Sequence, residues 1–270
     1  GISTSLPRDV QEKIIPMMEG CQNAKILQFG YAVEYDIVRP HQINATCETK
    51  NIKGLYLAGQ INGTSGYEEA AGQGLVAGIN AVLQIQGEDQ IMFGRDKAYI
   101  GVMMDDLVTT TPIEPYRMFT SRAEHRLLLR ADNADERLTP DARKLGLIDE
   151  TQWSAYIERI NSLNEIREVI NHSMAKKSDI PIEEIQNKYS KFPPRLVHRV
   201  VSDIRYAGYI KRQHAEVKRQ AKTEKRKVPL GLCPKSIAGL RNEAIETLEI
   251  YKPSTLGQAS RLAGITPADI

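Results

Sequence analysis

GLYLAGQINGTSGYEEAAGQGLVAGINA, residues 54–81, reads as a strand, a glycine-rich turn and a helix. Leu55, Tyr56, Leu57 and Ala58 form a short apolar run after a turn at Lys53-Gly54, which suits a buried strand. Gly59, Gly63 and Gly66 punctuate the next residues and permit positive φ and close backbone approach to a ligand. From Tyr67 the spacing turns helical, with Glu68 and Glu69 in the first turn, where acidic groups complement the helix dipole. Ala70, Gly74, Ala77, Gly78 and Ala81 recur at three and four residues and predict a small-residue face lying close to a sheet or a flat cofactor. A strand that feeds through glycines into a helix N-terminus suits a polar or anionic group. The stretch matches neither G-x-G-x-x-G nor G-x-x-x-x-G-K-[ST], so a plain strand–helix crossover stays open beside the ligand turn.

The chain has 270 residues, 41% hydrophobic and 26% charged, enough for one large domain or two ordinary ones. No apolar run approaches the roughly 18–20 residues of a membrane span, so no membrane association is expected. There is no initiator Met and no signal segment, and the opening Gly1-Ile2-Ser3-Thr4-Ser5 reads as a piece of a longer protein. Cys21, Cys47 and Cys233 are widely spaced, with no C-x-x-C pair. They predict incidental or buried thiols, no disulfide framework, no metal site and a reducing cytoplasm. Net charge is +2, but residues 199–227 hold ten Lys/Arg against three Asp/Glu, so a basic segment sits on an otherwise acidic body.

Helix is expected from Pro7 to Met18, disturbed near its end by Pro16, and strands at 24–29, 32–38 and 45–49. Residues 95–107 read as helix and 109–115 as a loop. Then comes PYRMFTSRAEHRLLLR, residues 115–130, with a capping-box pattern at Ser121 and Glu124. A helix here would stack Arg122, Arg126 and Arg130 at i, i+4 and i+8, a stripe able to hold a phosphate-rich partner. The alternative is a face paired internally with Glu124, Asp132 and Asp135.

Residues 132–135 read as a turn, and Thr139-Pro140-Asp141 as the start of a short helix ended by Gly146. Asp149 with Gln152 caps the next helix, whose stripe of Trp153, Tyr156, Ile157, Ile160, Leu163, Ile166 and Ile170 is expected to be core. A linker at 173–181 and a short helix lead to a long helix from Arg195 towards Lys222. Its first half is apolar and its second half basic, favouring a polyanion through counterion release. Helices are expected at 242–250, after the cap Pro253-Ser254-Thr255, and from Thr266-Pro267.

Residues 59–71 and 115–130, followed by Asp132-Asn133-Ala134-Asp135, resemble the GidA (MnmG) family of tRNA-modifying flavoproteins. So do 3–7, 30–36, Tyr206-Ala207-Gly208-Tyr209-Ile210 and 257–261, in the family's order along essentially the whole chain. The resemblance implies an α/β FAD-binding remnant, Rossmann-like and of glutathione-reductase type, followed by a mostly α-helical C-terminal domain. The implied division is 1–90 for the last part of the FAD domain, 91–228 for a helical tRNA-binding region and 229–270 for a small helical subdomain that docks the partner. The implied activity installs a carboxymethylaminomethyl-type group at C5 of the wobble uridine with the GTPase MnmE, using FAD, NADH and methylene-tetrahydrofolate, typically as a homodimer. Gln60 falls on the family's FAD-contacting glutamine, with Ile61, Asn62, Gly63, Thr64 and Tyr67 beside it. Arg117, Arg122, Arg126, Arg130, Lys211 and Arg212 are the implied tRNA contacts. No catalytic residue is implied, since Cys47 does not correspond to the family's catalytic cysteines and His125 stands where the family often has an aromatic residue.

Two other functions bear weighing. One is a folate-dependent flavoprotein that methylates a T-loop uridine, which is expected to lack the helical region 139–270. The other is a tRNA- or protein-interaction module with no catalysis of its own. On the leading reading the isolated chain is inactive and holds no flavin, because half a dinucleotide domain cannot bury it.

Overall fold

The computed structural model describes residues 4–110, 114–229 and 231–270. Ser3, part of the loop at 109–115, and Leu230 lie outside the described residues. The chain divides into two compact units, Gly1–Ile37 and Val38–Ile270, and the expected boundaries at 90 and 228 both fall inside the second.

In the first unit, α1 (Arg8–Met17) contains Pro16, whose ring donates no N–H, and ends one residue after it. The Gln11 amide folds α1 onto the extended chain: Nε2 donates to the Gly30 carbonyl (2.9 Å), and the Gly30 N–H donates back to Oε1 (2.8 Å).

The second unit is helical. It contains α2 (Tyr67–Gln86), α3 (Tyr99–Thr109), α4 (Ala134–Lys144), α5 (Glu150–Val169), α6 (His172–Lys176), α7 (Ile182–Lys188), α8 (Pro194–Glu224), α9 (Asn242–Tyr251) and α10 (Leu256–Ser260). The strands expected at 24–29, 32–38, 45–49 and 55–58 do not form a sheet. Among the described residues pairing is confined to isolated bridges, Ile43 with Thr49, Glu48 with Tyr56, Thr64 with Tyr116 and Lys227 with Thr255. Residues 47–49 and 55–57 exchange two backbone bonds, Thr49 N–H to the Leu55 carbonyl (2.8 Å) and Leu57 N–H to the Cys47 carbonyl (2.9 Å), but the pairing goes no further, and a strand exists by its ladder. The Rossmann-like sheet is therefore absent from the described residues.

Two sizeable apolar cores carry this unit. Leu163, Ile166 and Ile170 in and just after α5 meet Ala175, Ile185, Phe192, Leu196, Val197, Val200 and Val201. The expected α5 stripe is thus core only in its second half, since Ile157 is exposed. Cys47, Val76, Ala77, Met103, Met104, Leu107 and Tyr116 pack α2 against α3. The 173–181 linker contains α6, capped by the Asn171 side chain. α4 begins five residues before Thr139, with Asp135 and Glu136 in its first turn and Pro140 inside it. The carboxylates at the positive end offset the bond that the proline forfeits.

The small-residue face expected on α2 is divided: Ala77 is buried, Ala70 and Ala81 are half-buried, and the two glycines turn outward. Gly74 and Gly78 are exposed, and a Cβ on either meets nothing within 4 Å. The buried face carries Glu69, Gly72, Gln73, Val76, Ala77, Ile79 and Asn80. Its two amides staple loops: Asn80 donates to the Ile91 carbonyl (3.0 Å) and accepts from the Ile91 N–H (2.7 Å), while Gln73 accepts from the Gly59 N–H and donates to the Asn62 carbonyl (3.3 Å).

At the end of α5 nearest the chain start, the Asp149–Gln152 capping box forms as read, with the Gln152 N–H 2.7 Å from Asp149 Oδ1. Thermal and urea melts should separate cap from core. Asp149→Ala is expected to cost about 1 kcal/mol, and Leu163→Ala about 2–5 kcal/mol because it opens a cavity among fully buried neighbours.

Candidate functional site

Gly59 (φ 81°) and Gly63 (φ 87°) bracket a single 3-10 turn, Gln60–Asn62, and Gly66 caps α2 without a side-chain cap. The positive φ values explain why glycine stands at both ends of the turn. Gln60 and Ile61 face outward, and Tyr67 at the start of α2 is 94% exposed. Asn62 and Thr64 are buried; Asn62 Nδ2 donates to the Leu57 carbonyl (3.2 Å), and Thr64 Oγ1 has no hydrogen-bond partner among the described residues. Outward Gln60 and Tyr67 beside a helix start with no side-chain cap fit a polar or anionic group.

The structure wires this turn to the arginine segment. The Tyr116 N–H donates to the Gly63 carbonyl (2.8 Å), and the Met118 N–H donates to Glu69 Oε1 (2.9 Å). The Met118 bond holds the Glu69 carboxyl below the usual carboxylate range, against the opposing pull of burial. Arg117 approaches Glu69 at 4.0 Å. Between α2, α3 and this segment lies a cavity of about 680 Å³, lined by Glu68, Tyr99, Ile100, Met103, Arg117 and Phe119 among others. Its apolar floor and charged rim suit an aromatic ring with polar edges.

Residues 115–130 do not form the expected helix. They run through a 3-10 turn at Thr120–Arg122 and a series of turns, with Ala123, His125, Leu128 and Leu129 buried. These turns remove the i, i+4, i+8 stripe. The Ser121–Glu124 capping box is absent for the same reason: Glu124 instead accepts two bonds from Arg95, at 2.8 and 2.9 Å.

The arginines separate accordingly. Arg122 lies over the Tyr116 ring, 4.6 Å from its centroid, and donates to the Arg117 carbonyl (3.0 Å). Arg126 is exposed with no ion pair among the described residues. Arg130 takes the internally paired alternative, bound to Asp132 (2.9 Å) and Asp203 (2.5 Å). Lys211 and Arg212 are exposed on α8, far along the sequence but joined to this segment. Gln213 Nε2 donates to the Glu124 carbonyl (3.2 Å), and Gln220 Oε1 lies 2.9 Å from His125 Nε2. The turn, the arginine segment and the basic helix are thus one connected surface.

Periodicity missed the residues that make these connections. Glu69, Gln73, Arg95 and His125 are polar residues in buried or half-buried positions, and a polar letter in a helix pattern reads as solvent-facing. The Cys47 thiol is wholly buried, and burial pushes it up to about 12, so it is no nucleophile at neutral pH. Among the described residues no cluster of His, Cys, Asp and Glu could hold a metal, and no helix is long and apolar enough to cross a membrane.

Comparison with known proteins agrees with this architecture. Residues 1–89 match the family described as Glucose inhibited division protein A, and residues 216–270 match the tRNA modifying enzyme MnmG/GidA C-terminal helical bundle. The chain is 41% identical over 302 aligned positions to the tRNA uridine 5-carboxymethylaminomethyl modification enzyme MnmG of Streptococcus pneumoniae, in strains D39 and R6 alike. Those alignments cover all of this chain and 47% of the relative. Two crystal forms of Aquifex aeolicus GidA match at 40% identity, with TM-scores of 0.80 and 0.79, over 99% and 98% of this chain and 47% and 46% of theirs. The chain belongs to the GidA/MnmG family. It spans about half the length of the relatives it matches.

Two substitutions test the wiring between turn and arginine segment. A Cβ at Gly66 would fall 1.7 Å from Glu69 Oε2, so Gly66→Ala should swing that carboxylate off the Met118 N–H, read as faster hydrogen exchange at Met118. Because the Glu69 pKa is lowered in the fold, its contribution is complete above the ordinary carboxylate range and is lost as pH falls through the folded value. Glu69→Gln should therefore flatten the acid limb of stability against pH, and an unchanged limb would contradict the assignment.

Proposed function

We propose that the chain is part of a flavin-dependent tRNA-modifying enzyme that adds a carboxymethylaminomethyl-type group at C5 of the wobble uridine. The observation that carries this reading is the joining of the Gly59–Tyr67 turn, the arginine segment and the basic half of α8 into one surface. The pneumococcal relatives, tRNA uridine 5-carboxymethylaminomethyl modification enzymes by name, supply the reaction.

Residues 1–90 are read as the last part of an FAD-binding domain, 91–228 as the tRNA-binding region and 229–270 as the subdomain that docks the GTPase MnmE. Gln60, Ile61, Asn62, Gly63, Thr64 and Tyr67 would hold one side of FAD, which supplies the redox chemistry when bound, with NADH as reductant and methylene-tetrahydrofolate as carbon donor. The N–H groups at the start of α2 favour negative charge, and the neighbouring rim cation, Arg117, adds to that preference. Arg117, Arg122, Arg126, Lys211 and Arg212 would bind tRNA phosphates. Arg130 is left out of the RNA face because Asp132 and Asp203 hold its guanidinium. A cytoplasmic homodimer is the expected setting.

Charge reversal of Arg126, Lys211 and Arg212 together should weaken tRNA binding and reduce its salt slope, measured by gel shift across a salt series. Unchanged salt-sensitive binding would remove the RNA assignment. The 270-residue chain alone should purify without stoichiometric flavin absorbance. A pull-down of MnmE that survives deletion of residues 229–270 would rule out that subdomain as its dock.

A further inference from the structure

Tyr206 and Tyr209 are 45% and 56% exposed at the point where α8 leaves its buried first half. Three residues apart, they share one face of the helix. A tyrosine ring usually buries its apolar body and gives its hydroxyl a partner. Among the described residues neither hydroxyl takes part in a hydrogen bond. Arg212, one turn on from Tyr209, holds its guanidinium 4.7 Å from that ring's centroid.

Gly208, one turn before Arg212 and on the flank next to it, is exposed. Glycine is the least favourable residue in a helix interior apart from proline. A Cβ on Gly208 would meet no atom within 4 Å, so nothing inside this chain requires the bare backbone there. A partner approaching α8 closely beside Arg212 would make use of it.

We propose that Tyr206, Gly208, Tyr209 and Arg212 form a stacking platform for unpaired nucleotides of RNA. This deepens, and rests on, the reading of α8 as an RNA-binding element. The occupant follows from charge: residues 211–227 of the same helix and its exit hold eight Lys/Arg against two Glu, which complements a phosphate backbone. The state of the RNA follows from geometry. A ring on a helix surface meets the flat face of a base, and that face is free only where bases are unpaired. Arg212 serves both needs, extending the aromatic plane with its guanidinium and carrying positive charge.

The test uses the 270-residue chain with a short single-stranded RNA carrying 2-aminopurine, whose fluorescence is quenched on stacking, and the same sequence as a duplex. The double variant Tyr206→Ala/Tyr209→Ala should bind the single strand roughly 5- to 150-fold more weakly. It should also lose the quenching while keeping the salt slope. Tyr206→Phe/Tyr209→Phe should retain both, since the ring and not the hydroxyl stacks. Circular dichroism controls for loss of helix, and a folded alanine variant that binds and quenches like the parent overturns the platform. Loss of duplex and single-strand binding to the same extent also overturns it. Reversing Lys211 and Arg212 separates the two claims: if that lowers binding while the alanine variant does not, the platform fails and the RNA-binding reading of α8 stands. If neither change has an effect, both fail.

Discussion

Arg95 is the charge around which the second unit is arranged. Its guanidinium donates to Asp106 (2.6 Å), Asp105 (3.1 Å) and both oxygens of Glu124, and to the carbonyls of Val102 (3.3 Å) and Arg122 (3.2 Å). A half-buried arginine is tolerated when its donors are matched by nearby acceptors, and here they are. One side of the fan grips α3 and the other grips the arginine segment. Asp105 is shared: its oxygens also accept from Arg261 at 2.6 and 2.8 Å, and Arg261 pairs with Glu224 at the end of α8. Two arginines and four carboxylates, Asp105, Asp106, Glu124 and Glu224, therefore fasten the loop, α3, α8 and the C-terminal helices to each other. Tyr116 belongs to the same system: burial, together with the Asp106 carboxylate it donates to at 2.8 Å, pushes its phenol up.

A second network performs the same service lower on α8. Arg199 reaches Asp132 (3.1 Å), Glu136 (3.0 Å) and Asp203 (3.1 Å), joining the start of α4 to α8, while Arg130 and Arg167 share the same acids. The basic residues of this chain thus fall into two populations. Those with several acidic neighbours shape the protein, and those without, among them Arg126, Lys211 and Arg212, remain available to an external polyanion.

What could be read in advance follows from how local each determinant is. The α5 cap, the Thr255 cap of α10 and the buried first half of α8 depend on residues within one or two turns, and all three were legible. The sheet was not, because a strand is defined by neighbours and not by its own apolar run. Residues 115–130 misled for a related reason: the arginine spacing has helical period, but the segment is held by partners distant in sequence, Gly63, Glu69 and Arg95. Of the site, the glycine turn and the exposed cations were visible as motifs. The amide of Gln73, the carboxylate of Glu69 and the fan of Arg95 were not, since each acts on a backbone or side chain distant in sequence.

The unbroken length of α8 has a consequence of its own. Its 31 residues, at about 1.5 Å each, make a rod of roughly 46 Å anchored in the α5–α7 core at one end and bridged to Thr255 through Lys227 just beyond the other. Every residue along it also turns the surface by about 100°. The direction in which the exposed half faces and the position of α9 and α10 are therefore set by a single integer, the number of residues between Val201 and Lys227. Adding or removing one would leave composition, charge and helicity nearly untouched, yet turn Gln213 or Gln220 away from the arginine segment and carry the C-terminal helices off Asp105. The phase of this helix therefore matters to the surface as much as its side chains do.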